Sequence, residues 1–275
     1  MNTYLIKLLF TLLGLTCFAK AAVPMAGWAL STSPQILQLS RLQQESVCDA
    51  TTLRIMPLGD SITHGATVPG GYRIRLWERL LFDLPMVDLV GSEVNGPVTI
   101  DGNHEGHPGK AIQFIREGVR GWLYASRPHI VLLMVGTNDV LYPEAHDFAG
   151  AAARLDALVG QITAIAPNSE VIVASVPTLQ DPIANDRARH LSQDVQAIVD
   201  RRADQGRRVT FVDMHRVLEV GDLADGVHPN AGGYNKMADA WYTAITTLLA
   251  ERCNPAVETV PSTDVAPPVE DSLFN

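Results

Sequence analysis

The sequence predicts an α/β domain in which helices cover both faces of a five-stranded parallel sheet. Between residues 51 and 253, short runs rich in Val, Ile and Leu alternate with longer segments that are apolar on one helical face. Such runs are typical of strands buried on both faces, and such segments are typical of core-facing helices. Strand–helix units in series form a parallel sheet through right-handed crossovers. We therefore expect a flavodoxin-like α/β/α sandwich of three layers with the strand order 2-1-3-4-5.

Each element of this fold has its own stretch of sequence. The predicted strands are residues 53–57, 87–90, 130–135, 171–176 and 209–212. Apolar side chains three and four positions apart predict the helices, whose stripes lie in residues 76–84, 112–122, 155–165, 191–199 and 234–248. We assign these stripes to core packing and to no other role.

The two ends of the chain differ from the domain between them. Lys7, the apolar run at residues 8–18 and Ala19-Lys20-Ala21 follow the order of a secretory signal peptide, and the run is short for a membrane span. The alternative is an uncleaved N-terminal anchor. We expect a signal peptide at 1–21, a lead-in at 22–50, the catalytic domain at 51–253 and a flexible, acidic, proline-rich tail at 254–275. The mature protein is then expected to be secreted or periplasmic, without a stable membrane span.

Composition excludes several classes of function. The 275 residues are 47% hydrophobic and carry a formal net charge of −9, with a pI of about 5.3. The chain is too apolar to be disordered, and its acidity argues against a nucleic-acid partner, which usually meets a basic surface. Three cysteines are too few for a disulfide scaffold, but loss of Cys17 with the signal would leave Cys48 and Cys253 as a candidate disulfide. The alternative is two free, buried thiols.

Polar motifs come after four of the predicted strands, at the same end of the predicted sheet. In chain order they are Gly59-Asp60-Ser61-Ile62, Gly91, Gly136-Thr137-Asn138-Asp139 and Asp225-Gly226-Val227-His228-Pro229. Because the carboxyl ends of parallel strands meet at one edge of a sheet, we expect these motifs to lie together. Any one of them alone could be a strand-ending turn or a helix cap. Their shared edge favours a catalytic site.

The residue types at this edge suit acyl transfer. Ser61 is a weak nucleophile until a base takes its proton, and His228 is the expected base. Asp225, three residues earlier, can fix the tautomer and orientation of the imidazole. The backbone N–H groups of Ser61 and Gly91 and the side-chain amide of Asn138 would form the oxyanion hole. This chemistry needs no metal and no organic cofactor.

The four motifs, in this order, resemble the four blocks of the SGNH hydrolases, also called GDSL-type esterases. The resemblance spans about residues 53–249, nearly all of the predicted domain. It implies a flavodoxin-like sandwich and ester hydrolysis through an acyl-serine. It also implies the roles given above for the catalytic residues, which are Ser61, Gly91, Asn138, Asp225 and His228. The Gly-x-Ser-x-Gly elbow of the α/β-hydrolases is absent around Ser61.

The polar, glycine-rich segment at residues 101–109 indicates one branch of this family. Its His104-Glu105-Gly106-His107, with Gly70-Gly71-Tyr72-Arg73 and Val90-Gly91-Ser92, resembles carbohydrate esterase family 3, the acetylxylan esterases. That branch continues with Ser-Gly-Trp after the second histidine. Here Pro108-Gly109-Lys110 follows instead, so the aromatic residue is missing at that position.

The resemblance makes this segment a border of the active site. The candidate substrate-binding residues are Asp60, Arg73, His104, Glu105 and His107. Two alternatives stay open for the segment: its histidines and Glu105 could bind a metal ion, or it could hydrogen-bond itself and only wall the pocket. Arg73 could also pair with Glu78, and Asp60 and Asp139 could brace their turns rather than react.

The hypothesis that follows is a secreted serine esterase that removes small acyl groups, and acetyl above all, from carbohydrate. A lysophospholipase, thioesterase or aryl esterase would use the same residues behind a more apolar mouth. A non-catalytic protein that binds glycans or the cell wall could retain the fold. The intact set of Ser61, Asn138, Asp225 and His228 speaks against this last alternative. The expected partner is a small ester or an acylated carbohydrate.

Overall fold

The central sheet of the computed structural model, which describes residues 46–84 and 86–253, has seven strands. They are β1 (Leu53–Gly59), β2 (Val87–Leu89), β3 (Glu93–Val94), β4 (Asn103–Gly106), β5 (Ile130–Met134), β6 (Glu170–Ala174) and β7 (Val209–Val212). All five predicted strands are present, and they lie parallel in the order β2-β1-β5-β6-β7. This confirms the predicted α/β/α fold and its strand order.

The prediction of five strands is wrong at one edge of the sheet. β2 pairs only with the first half of β1, as far as the Leu89–Ile55 pair. The second half of β1 is covered by β4, whose Glu105 lies opposite Leu58, and β3 pairs with β4 in the antiparallel direction. β4 has the sequence Asn-His-Glu-Gly, so it lacks the apolar run by which the five other parallel strands were predicted. Part of the segment predicted as a loop is therefore a strand.

The helices form the two outer layers. They are α1 (Ser61–His64), α2 (Arg73–Asp83), α3 (Ile112–Ser126), α4 (Thr137–Leu141), α5 (Pro143–His146), α6 (Ala151–Ile165), α7 (Pro182–Asp204), α8 (Met214–Val217) and α9 (Ala231–Cys253). Neighbouring residues of a strand face opposite layers: Leu133 packs with α3, α6 and α7, whereas Leu132 packs with α2 and α9. The five long helices carry the predicted apolar stripes toward these two cores.

A disulfide joins the two ends of the domain. Cys48 precedes β1 and Cys253 ends α9, and their Cα atoms lie 5.3 Å apart, a separation usual for a bonded pair. The predicted signal peptide, most of the lead-in and the predicted tail lie outside the described residues. None of the helices in the described ranges combines the length and the apolar character of a membrane span.

Candidate active site

The nucleophile turn lies at the carboxyl end of β1, where α1 begins directly after Asp60. The Asp60 carboxylate caps α1 by accepting a hydrogen bond from the Ile62 N–H at 3.0 Å. Gly59 is required here, because a Cβ at this position would lie 2.1 Å from the Met134 carbonyl oxygen of β5. The tight packing of the strand end therefore fixes where Ser61 stands.

Ser61, His228 and Asp225 form a continuous chain of hydrogen bonds. Ser61 Oγ lies 2.8 Å from His228 Nε2, and His228 Nδ1 lies 2.8 Å from Asp225 Oδ2. Asp225 Oδ1 also accepts from the backbone N–H of His228 at 2.8 Å and from that of Val227 at 3.0 Å. With Nδ1–H donating to the carboxylate, Nε2 is free to accept the Ser61 proton. The three residues predicted to act together are thus brought together.

The charge state of Asp225 follows from its hydrogen bonds. Partial burial raises the pKa of this carboxyl, but the hydrogen bonds from the backbone and imidazole of His228 outweigh it and lower the pKa below its usual value. Asp225 is accordingly ionised at neutral pH, as a group that stabilises an imidazolium must be. Half of its side chain is exposed to solvent (50%), so this end of the triad lies at the protein surface.

Asp60, next to the nucleophile, is different because it is fully buried. Desolvation raises the pKa of its carboxyl to about 6, although the hydrogen bond from Ile62 opposes the shift. Asp139 is also buried, and its carboxylate accepts from the Ile112 N–H at 3.0 Å and from Arg154 at 3.1 Å. Both side chains therefore brace turns, which was one of the alternatives left open by the sequence.

Asn138 lies on α4, directly after β5, and is almost buried at 6% exposure. One hydrogen of its amide is held by the backbone carbonyl of Lys110, to which Nδ2 donates at 3.0 Å. The second hydrogen of the same amide can point elsewhere, which leaves a donor for a ligand. The loop that carries Lys110 is in turn attached to β1, since the His107 N–H donates to the Gly59 carbonyl at 2.9 Å.

Gly91, predicted as an oxyanion-hole residue, is not brought to Ser61. It follows β2, whose pairing with β1 ends at the Leu89–Ile55 pair, well before the end of β1 at Gly59 that leads into Ser61. A Cβ on Gly91 would lie 2.1 Å from the backbone carbonyl of His104. The glycine is therefore needed for close packing of β2 against β4, and its assignment to the oxyanion hole is corrected.

Gly109 suits the role that the prediction gave to Gly91. It immediately precedes Lys110, whose carbonyl binds the Asn138 amide, and it has φ +73° with open space where a Cβ would be. Positive φ favours glycine, and open space leaves the backbone accessible to a ligand. The Pro108-Gly109 pair that closes the polar segment was the sequence signal for this turn.

Comparison with known proteins identifies the family. The GDSL-like Lipase/Acylhydrolase family matches residues 58–236, a range that includes Ser61, Asn138, Asp225 and His228. The chain belongs to this family. Residues 58–236 therefore lie in an ester-hydrolase domain, and the resemblance inferred from the four motifs is confirmed.

Individual relatives of this GDSL-family chain include carbohydrate esterases. A multidomain esterase of Ruminococcus flavefaciens is 33% identical over 254 residues, covering 81% of this chain, which spans only 32% of that protein's length. The structure of a Clostridium thermocellum family 3 carbohydrate esterase is 32% identical, with a TM-score of 0.63, and covers 73% of this chain and 98% of its own. A family 3 carbohydrate esterase from Talaromyces cellulolyticus is 25% identical, with a TM-score of 0.64 and coverages of 73% and 99%.

Four of the five candidate substrate contacts in this GDSL domain are fully buried: Asp60, Arg73, His104 and Glu105. Each contacts protein, so the prediction that they bind substrate is corrected. Arg73 donates to backbone carbonyls, among them Thr63 at 3.3 Å and Gly102 at 2.9 Å, rather than pairing with Glu78. Its burial lowers the pKa of the guanidinium to about 10.

The histidines and Glu105 of the polar segment do not converge on a common point. Glu105 Oε1 lies 2.7 Å from His107 Nε2, and the same carboxylate accepts from the N–H and hydroxyl of Ser92 at 2.8 and 2.7 Å. His104 Nδ1 instead accepts from the Gly106 N–H at 2.9 Å. Across the described residues, no three His, Cys, Asp or Glu side chains are grouped as metal ligands would be. Mutual hydrogen bonding within the segment is the alternative that matches this geometry.

Proposed function

We propose that this protein is an exported serine esterase that removes small acyl groups, and acetyl above all, from carbohydrate through an acyl-serine intermediate. The observation that carries the proposal is the continuous pair of hydrogen bonds from Ser61 Oγ to His228 and from His228 to Asp225, each 2.8 Å long. A nucleophile, a base and an orienting carboxylate in hydrogen-bond contact are the arrangement that acyl transfer requires. The full set argues against a protein that only binds glycans.

The reaction follows from this geometry in two halves. Ser61 Oγ attacks the ester carbonyl carbon while its proton passes to His228 Nε2, and Asp225 stabilises the imidazolium that forms. As the tetrahedral intermediate collapses, the bond to the sugar oxygen breaks and Nε2 gives its proton to that oxygen, which leaves as the sugar hydroxyl. Water then gives its proton to Nε2 and attacks the acyl-serine. As this second intermediate collapses, Nε2 returns the proton to Ser61 Oγ and the carboxylic acid is released.

The negative charge on the tetrahedral oxygen needs donors that are already in place. The Ser61 N–H at the start of α1 and the free hydrogen of the Asn138 amide are two candidates. We assign the third to the Gly109 N–H, because its turn is attached to Asn138 through Lys110. Loss of one such donor typically costs about 10²–10³ in kcat.

Two further features support export and a carbohydrate ester. The N-terminal sequence has the order of a signal peptide, and the Cys48–Cys253 disulfide suits an oxidising compartment. Relatives that match nearly their whole length are carbohydrate esterases by name. The turn that carries Gly109 and Lys110 is exposed and polar, as expected for a mouth that admits a sugar.

An activity screen on the mature protein tests the proposal. We expect hydrolysis of acetylated xylan, glucose pentaacetate and p-nitrophenyl acetate, and we expect Ser61→Ala to lower kcat by on the order of 10⁴–10⁶. A clear preference for long-chain p-nitrophenyl esters would instead favour a lysophospholipase or thioesterase. Equal turnover by wild type and Ser61→Ala would refute catalysis at this site and would favour a non-catalytic, glycan-binding protein.

A further inference from the structure

Lys110 places a positive charge beside the proposed catalytic edge. Its backbone carbonyl holds the Asn138 amide, so the residue adjoins the proposed oxyanion hole. Its side chain is exposed, and the ammonium nitrogen lies 4.7 Å from the centre of the Phe114 ring at the start of α3. A cation over an aromatic face is attracted by the ring and loses part of its freedom. The ammonium is therefore held near the mouth.

Phe114 packs in a group of three rings with Trp122, also on α3, and His107. Phe114 is 38% exposed, and its ring lies 6.3 Å from the Trp122 ring, which in turn stacks on His107 at 4.5 Å. Gly118 makes this arrangement possible, because a Cβ there would lie 2.2 Å from the Trp122 indole. The 2.7 Å hydrogen bond between Glu105 Oε1 and His107 Nε2 fixes the orientation of the imidazole. The surface next to Lys110 is thus formed by packed aromatic rings, one of which is fixed by a hydrogen bond to Glu105.

The charge of Lys110 is not neutralised by a carboxylate of the described residues. The other lysine of the described ranges, Lys236, pairs with Asp222 at 2.7 Å, whereas the Lys110 ammonium rests on a ring. An ammonium has three N–H donors and no acceptor, so its strongest partners are anionic oxygens. In a chain of net charge −9, a cation without such a partner at the mouth suits an anionic group of a ligand.

We propose that Lys110 and Phe114 form a subsite for a sugar that carries a carboxylate, that is, a uronic acid residue of the acylated polysaccharide. The inference rests on the proposed esterase function and deepens it by naming the substrate class. The ammonium would donate charge-assisted hydrogen bonds to the carboxylate, and the exposed part of the Phe114 ring would pack on the C–H groups of the sugar. Neutral polysaccharides offer only the second contact.

Two acetylated xylo-oligosaccharides of equal length and acetyl content, one with a glucuronic acid side group and one without, test the subsite. We expect wild type to favour the acidic oligosaccharide by about fivefold in kcat/KM, the effect of one exposed charge pair of about 1 kcal/mol. Lys110→Gln should abolish this ratio, Lys110→Arg should retain it, and about 1 M NaCl, where the Debye length is about 3 Å, should suppress it.

The matched control is Arg120→Gln. Arg120 is an exposed cation on the same helix, six positions after Phe114 and across the buried residues Ile115 and Val119. Its loss should leave the ratio at the wild-type value. An equal drop for Arg120→Gln and Lys110→Gln would mean that only net charge matters, and would overturn the subsite.

The outcomes separate this inference from the proposed function. A wild type that hydrolyses both oligosaccharides equally well refutes the subsite and leaves the esterase function intact. Equal losses on both substrates in Lys110→Gln also refute it, because they would reflect only support of the Asn138 loop. A wild type that turns over neither oligosaccharide nor p-nitrophenyl acetate above the Ser61→Ala level refutes both.

Discussion

Arg73 is the residue whose role the structure changes most, and its replacement gives a sharp prediction. The guanidinium is fully buried and donates to five acceptor oxygens of the segments around it. They are the carbonyls of Thr63, His64, Asn95 and Gly102 and the side-chain oxygen of Asn95. Arg73 thereby ties α1, which carries Ser61, to the β3–β4 hairpin, which leads to Gly109.

The cost of Arg73→Gln can be worked from these contacts. A hydrogen bond contributes about 0.5–1.5 kcal/mol net, so five lost bonds sum to several kcal/mol. Removing a desolvated cation, whose pKa is lowered to about 10, offsets part of this sum. After this offset, we expect the free energy of unfolding to fall by about 3 kcal/mol. A domain with a stability of about 5–15 kcal/mol stays folded.

The catalytic effect distinguishes positioning from mere stability. Because α1 and the Gly109 turn would no longer be held together, we expect kcat for p-nitrophenyl acetate to fall about tenfold or more with little change in KM. Arg73→Lys should rescue only part of this loss, because an ammonium is a compact point charge and cannot reach all of these oxygens as the planar guanidinium does.

Urea unfolding and steady-state kinetics measure the two effects side by side. The control is Arg75→Gln, since Arg75 lies two residues further along α2 and forms an exposed pair with Asp239 at 2.8 Å. It should change neither quantity appreciably. The reasoning is refuted if Arg73→Gln unfolds at the wild-type urea concentration, or if it is destabilised while kcat is kept.

Three other predictions follow from the site and the domain ends. Asp225→Asn should lower kcat by on the order of 10⁴, because the amide favours the wrong imidazole tautomer; a kcat near the wild-type value would contradict the triad. Asp60, with its pKa raised to about 6, binds a proton more tightly in the folded than in the unfolded chain, so its ionisation lowers the free energy of unfolding increasingly from about pH 4 to 6. Asp60→Asn should therefore gain stability relative to wild type over that range, by up to about 3 kcal/mol in urea unfolding at pH 7. A stability difference that does not change with pH would contradict the buried carboxyl. Cys48→Ser/Cys253→Ser should lose up to about 5 kcal/mol of unfolding free energy for a sequence separation of 205 residues, and a wild-type transition that reductant does not move would argue against the bond.

The catalytic edge could be predicted from the sequence because its signals are local. The first three motifs directly follow recognisable apolar strands, and the Asp225–His228 motif comes after β7 and α8. Because parallel strands end at a common edge, strand order predicts that Ser61, Asn138 and His228 lie together. The Asp225–His228 spacing lets one turn supply both side chains. These inferences need no knowledge of packing between distant segments, which is why they agree with the geometry.

The edge formed by β4 could not be predicted in the same way. Its Asn-His-Glu-Gly sequence has no apolar period, and its buried Glu105 and His104 accept hydrogen bonds from the backbone N–H groups of Ser92 and Gly106. The error about Gly91 has the same origin. A glycine after a strand end was taken for a ligand contact, whereas β2 diverges early and Gly91 packs on His104. Arg73 was misassigned because its partners are mostly backbone carbonyls, which leave no mark in the sequence.

The polar character of β4 connects these errors to the chemistry of the site. A buried polar strand is destabilising unless its groups are paired, and here Glu105 is paired with Ser92 and His107, while Arg73 binds the Gly102 carbonyl just before the strand. The same strand continues into the turn whose Lys110 carbonyl holds Asn138. An apolar strand would fill the sheet equally well, but it would not bring the hydrogen bonds that fix this turn. Arg73 and Glu105, which the sequence predicted to touch substrate, therefore support the segment that leads to Gly109 and Lys110.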